Sequence, residues 1–290
     1  MRARRIIPVL LHKNDHLVLS RQFSLHQAIG NPFAIADRYK AWDLDELIYL
    51  DITPHWSDEG RDAIFDRYVE TIRRVSRNCF IPLTAGGGIR SVEDMNRLIH
   101  AGADRIVLNS AGLASPDLIT QAARVFGAQA VIVGIDAKNG EVFGHGGKKP
   151  TGRTASEWAA EAERRGAGEI FIQSIERDGT ATGFDEAMIK TVLKAVKVPV
   201  IACGGAGNAK DLERPLIWGA QAVAAANLFA FTELSYLQAK DAVSKDSVAI
   251  RPPAIGMDYV AARKQRESGS RLKAEQMPLW QALGRGGLME

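Results

Sequence analysis

Two kinds of hydrophobic pattern alternate along the chain. Nearly continuous apolar runs occur at RIIPVLL (5–11), ELIYLDI (46–52), IPLTAG (81–86), RIVLNS (105–110), AVIVGID (130–136), EIFIQSI (169–175), VPVIACG (198–204) and AVAAANL (222–228). Runs of this length without apolar–polar alternation fit parallel strands covered on both faces. Between them lie amphipathic segments such as DRYVETIRRVS, SVEDMNRLIHAG, SPDLITQAARVFG and ASEWAAEAERRGAG. Several open at Ser, Asp or Asn and stop at Gly, the signals of helix ends. The repeated strand-then-helix order predicts an α/β fold, a single (β/α)₈ barrel over residues 1–252. Residues 253–290 fall outside this pattern and form a C-terminal extension with no assigned structure.

The pattern is also duplicated. Residues 81–110 align without gaps on residues 198–227, so that Pro82 meets Pro199, Gly87 meets Gly204, Gly88 meets Gly205 and Asp94 meets Asp211. ELIYL (46–50) meets EIFIQ (169–173), and RIIPVLLHKN (5–14) resembles AVIVGIDAKN (130–139). Two (βα)₄ halves, each of roughly 120 residues, account for this self-similarity.

Function in such barrels sits at the carboxyl ends of the strands. Two glycine turns stand there in equivalent places, Gly87-Gly88 before a helix at Ser91 and Gly204-Gly205 before one at Asn208. Glycine lets backbone N–H groups approach an anion, and a helix N-terminus favours negative charge. Asn109 and Ser110 flank the first turn; Asp178, Gly179, Ala226 and Asn227 flank the second. The expectation is a pair of phosphate sites bridged by a ligand with a phosphate at each end.

Composition narrows the classes further. The formal net charge of +3 is too small to argue for nucleic acid, and no run of 18 apolar residues appears. The two cysteines, Cys79 and Cys203, lie far apart and suggest neither a disulfide framework nor a metal site. A reduced cytoplasmic protein without metal or cofactor is expected.

The motifs ELIYLDIT, TAGGGI, GAQAVIVGIDAK, GKKPTG, RGAGEI, SIERDGT and IACGGAG together resemble the cyclase barrel subunit of imidazole glycerol phosphate synthase. The resemblance runs from about residue 3 to 250 and implies a barrel of the ribulose-phosphate-binding type. It also implies a glutaminase partner, with ammonia passing through the barrel to a phosphorylated substrate. A ring of charges at the amino-terminal face then gates the ammonia; the matching residues are Arg5, Glu46, Arg105 and Glu169. The family's two catalytic acids end strands one and five. Strand five keeps Asp136, but strand one has Leu11, and a further family lysine is replaced by Leu19.

Leucine exchanges no proton, so efficient cyclisation is not expected. The segment after strand one, residues 14–32, reads as a loop that departs from the cyclase pattern; with Arg21, His26 and Gln27 it more closely resembles glycosyl amidation-associated barrels. The resulting expectation is an ammonia-channelling subunit that works with a glutaminase and a sugar amidotransferase in surface-polysaccharide synthesis. One alternative is the cyclase subunit of histidine biosynthesis, with His12 or Asp15 supplying the missing proton. A second is a non-catalytic activator of a glutaminase.

Overall fold

Among the described residues twelve strands follow one another in chain order: β1 (Arg5–Lys13), β2 (His16–Arg21), β3 (Leu25–Gly30), β4 (Leu47–Asp51), β5 (Leu83–Gly86), β6 (Arg105–Leu108), β7 (Val131–Lys138), β8 (Glu141–Gly144), β9 (Lys149–Thr154), β10 (Glu169–Ser174), β11 (Val200–Cys203) and β12 (Ala222–Ala225). Eight of them pair in parallel in the order β1-β4-β5-β6-β7-β10-β11-β12, and β12 returns to β1 to close the barrel. The computed structural model describes residues 3–33, 44–54, 60–78, 81–230, 235–244 and 248–251. The extension expected from residue 253, and Cys79, lie outside them.

Every apolar run named above contains one barrel strand, because both faces of each strand are buried. One face meets the helices and the other meets the barrel interior. The alternation is explicit in β1: Ile6 and Leu10 belong to the outer core, whereas Ile7, Val9 and Leu11 belong to the inner one. Val107, Ile132, Phe171, Ile201, Cys203, Ala222 and Ala224 join the inner column. On the outer side, helices such as α1 (Arg61–Asn78) and α2 (Val92–His100) bury one face and cover the strands. Tyr68 of α1 is fully buried, and its hydroxyl bridges the carbonyls of Tyr49 and Gly86 at 2.9 and 2.8 Å.

The internal duplication extends to single hydrogen bonds. Ser91 caps α2, and Asp94 accepts the Arg90 N–H at 2.8 Å. In the second half Asn208 caps its helix, and Asp211 accepts the Gly207 N–H at 2.9 Å. Each aspartate pins the glycine turn that precedes its own helix.

The fold differs from expectation after strands one and five. Residues 14–32 were expected to be a loop, but β2 and β3 form an antiparallel hairpin paired with β1. A second hairpin, β8–β9, extends β7 in the equivalent place. The turns that start them are Asn14-Asp15 and Asn139-Gly140, and all four residues have positive φ. Two-residue turns of this conformation match the twist of antiparallel strands, and Asn, Asp and Gly tolerate it best. The shared Lys-Asn ending of the two runs is therefore the start of a hairpin in each half.

Candidate active site at the barrel mouth

The inner-facing residues stack from one end of the barrel to the other. At the amino-terminal end, Arg5 and Arg105 each bond both Glu46 and Glu169. Arg5 reaches Glu46 at 2.5 Å and Arg105 reaches it at 3.2 Å, while both also pair with Glu169. Thr84 donates to Glu46 at 2.7 Å. The two carboxylates are 2% and 1% exposed, so their charges are held almost entirely by the arginines and Thr84. The four residues named from the sequence thus form one cross-braced ring. Above it the inner column is apolar until the mouth.

Asp136 is the inner-facing residue near the end of β7, directly across the closed barrel from β1. Its Oδ2 accepts a hydrogen bond from Asn109 Nδ2 at 2.7 Å. Burial pushes the carboxyl up to about 7; the Asn109 bond opposes this, and the charge of Asp178 adds to it. A carboxyl half-protonated near neutral pH can both give and take a proton. Leu11, opposite, is an inner-core side chain that pairs with Leu50 and Val18 in the sheet.

His12 and Asp15 do not take the place of the missing acid. His12 faces outward, 3.3 Å from Asp51 and stacked on Tyr68 beneath α1. Asp15 is exposed at the β1–β2 turn and pairs with Arg67. Strand alternation decides both positions, because neighbours of an inward residue point to the other face. Leu19 is buried on the opposite side of β2 from Ser20, and Arg21 and Gln27 are exposed.

The first hairpin crosses the mouth and docks on the second half of the barrel. Ser20 Oγ donates to Asp178 Oδ2 at 2.6 Å, and Phe23 N donates to the same oxygen at 3.3 Å. Gln22 N donates to the Asp178 carbonyl at 2.9 Å. Asn227 Nδ2 donates to Ser20 O, also at 2.9 Å. Burial raises the Asp178 carboxyl, and the Ser20, Phe23 and Gln173 donors hold it back down. Gln173, inner-facing between the two acids, gives Asp178 Oδ1 a bond of 3.3 Å and sits in register with Asp136. Inner-facing Cys203 is buried in the same corner, and burial pushes its thiol up. Ser20, Gln173 and Cys203 were not expected at the site. Only the alternation along β10 and β11 hinted at the last two.

The expected phosphate residues are placed on both sides of the mouth. Around the first turn, Gly88 O accepts from Arg61 at 2.8 Å, and Ser110 Oγ accepts the His145 N–H at 2.9 Å. Around the second, Gly204 and Gly205 follow β11, and Ala226 packs on the inner core. Several of these glycines answer a structural demand. A Cβ on Gly87 would lie 1.9 Å from Asp51 O, and one on Gly179 would lie 2.1 Å from Ser20 O. Gly179→Ala should therefore unseat the hairpin, making trypsin cleave faster after the exposed Arg21 while the barrel stays folded. Unchanged cleavage would show that the hairpin tolerates the methyl group.

No group of three or more His, Cys, Asp or Glu side chains that could hold a metal ion occurs among the described residues. No helix among them is long and apolar enough to cross a membrane.

A model of the family described as histidine biosynthesis protein matches residues 5–235. The imidazole glycerol phosphate synthase subunit HisF of Hyphomonas neptunium is 45% identical over 252 residues, covering 85% of this chain and 98% of that one. Likeness of this extent overturns the expectation of a sugar-amidation subunit. That expectation gave one strand-end position, Leu11, and one rewritten segment more weight than the rest of the barrel.

Proposed function

The chain belongs to the histidine biosynthesis protein family, and on that premise we propose that it is the cyclase subunit of an imidazole glycerol phosphate synthase. The 45% identity to a HisF subunit across nearly that subunit's whole length carries the reading. The site geometry supports it. Asp136 offers a carboxyl poised near neutral pH at the mouth, fixed by Asn109. It takes a proton from incoming ammonia or returns one during ring closure. Asn109, Ser110 and Gly87-Gly88 on one side, and Gly179, Gly204-Gly205, Ala226 and Asn227 on the other, hold the two phosphates of the substrate.

A glutaminase docks at the opposite face, where the Arg5–Glu46–Arg105–Glu169 ring admits ammonia to the apolar column. Ammonia enters as the neutral molecule, since an ammonium ion would need its charge compensated along that column.

The direct test supplies the cyclase substrate and an ammonium salt to the isolated protein, so that no glutaminase is needed. We expect imidazole glycerol phosphate at a turnover on the order of 1 s⁻¹, within the ordinary range of enzymes. No product, together with activation of a glutaminase by the same protein, would assign the barrel a scaffolding role instead.

A further inference from the structure

Leu11 leaves Asp136 without the acid–base partner that ammonia addition needs. We propose that His26, carried on the β2–β3 hairpin and held by Lys13, is that partner; this rests on the cyclase reading above. Three placements bring it to the mouth. Lys13 follows Ile7, Val9 and Leu11 on the inner face of β1, one pleat nearer the mouth than the missing acid. His26 stands directly opposite Ser20 in the antiparallel register, so both side chains share one face of the hairpin. That face is turned inward, because Ser20 reaches buried Asp178 and Val18 belongs to the inner core. Lys13 Nζ lies 3.2 Å from His26 Nδ1 and joins the two.

The contact sets the chemistry of the ring. A lysine ammonium can only donate, so Nδ1 accepts and the hydrogen of the neutral ring is on Nε2. Burial and the Lys13 charge both lower the His26 pKa, which keeps the ring neutral at pH 7. Uncharged Ser20 stands on the same face and, beyond it, Asp178. In ammonia addition the nitrogen lone pair forms the new C–N bond, and the π pair moves onto the heteroatom of the attacked double bond. Asp136 takes one proton from the nitrogen. His26 Nε2 gives one to the heteroatom, while Lys13 Nζ passes one to Nδ1. Exchange with water then removes the proton from Asp136 and restores that of Lys13, so protons balance with no other reactant.

The assay uses the cyclase substrate and ammonium chloride. In His26→Gln we expect kcat to fall by about 10²-fold or more with KM little changed. Free imidazole should restore part of the rate to His26→Ala but none to Asp136→Asn. Adding Leu11→Asp should restore part of the rate to His26→Gln, because an acid then returns to strand one. If His26→Gln stays within about threefold of the parent rate, the assignment is wrong while the parent's turnover still upholds the cyclase reading. A fall that neither imidazole nor Leu11→Asp relieves also overturns it and makes His26 only a pin for the hairpin. A parent protein with no turnover removes the cyclase reading itself, and this proposal with it.

Discussion

Asp136→Asn should lower ammonia-dependent turnover by about 10²–10⁴-fold and leave the barrel folded. Asparagine keeps the size of the side chain and an oxygen for the Asn109 bond of 2.7 Å, but it cannot titrate. The same change should alter how stability depends on pH. Burial raises the Asp136 carboxyl from 3.8 to about 7, so folding favours its protonated form. Below about pH 4 folded and unfolded chains both hold the proton, and this contribution is fully present. As pH rises the unfolded chain ionises first, and the contribution is lost by the time pH passes about 7. The Asn variant has no such loss. Urea midpoints of parent and variant, measured at pH 5 and pH 8, should therefore diverge in favour of the variant at the higher pH. A difference independent of pH would mean that Asp136 is not a buried neutral acid in the resting protein.

Glu169→Ala should produce the largest loss of stability among the residues of the charged ring. Glu169 pairs with both Arg5 and Arg105 and is almost fully buried. Removing one partner from a buried ion pair costs about 3–5 kcal/mol, because the remaining charge is left uncompensated. For a domain of this size that corresponds to a fall in Tm of roughly 6–20 °C. The arginine side chains are 26% and 17% exposed, so water reaches them in part and the low end of the range is expected. An exposed pair such as Arg165–Asp117, with Asp117 80% exposed, should show no measurable change when broken. Thermal unfolding of Glu169→Ala and Asp117→Ala side by side makes the comparison. Equal, small shifts would show that the ring contributes little to folding.

Much of this architecture is legible in the residues themselves. Strands buried on both faces must be apolar throughout, so the eight runs mark the barrel strands. Gap-free alignment of residues 81–110 on 198–227 is enough to divide the barrel into halves. The resemblance to the cyclase family marked Arg5, Glu46, Arg105 and Glu169 as a set, and each opens or precedes one of four apolar runs.

The hairpins were less visible. HLVLSR and LHQAIG are short, and although the centre of β2 is buried, β3 is mostly exposed and shows no clean pattern. Only their positive-φ turns, Asn14-Asp15 and Asn139-Gly140, carried a local signal. The function was misread for a related reason. Leu11 and the rewritten segment after it were given more weight than the rest of the barrel. In the folded chain a residue fifteen positions later, His26, is brought to the same end of β1 through Lys13.

By itself, then, the sequence determined the order and number of barrel strands and the duplication, which depend on local composition and period. The charged ring's members and the missing strand-one acid came instead from the resemblance to the cyclase family. Tertiary structure alone decided that Leu11 faces inward while His12 faces the helices, and that Ser20 meets Asp178 across 158 residues of chain. It also decided that burial, more than any neighbouring charge, moves Asp136 towards neutral pH. Period two says which residues share a face, but only closure of the barrel says which face is inside. Likewise, a carboxyl acquires its proton affinity from the water that its surroundings exclude, and those surroundings come from strands far apart in the chain.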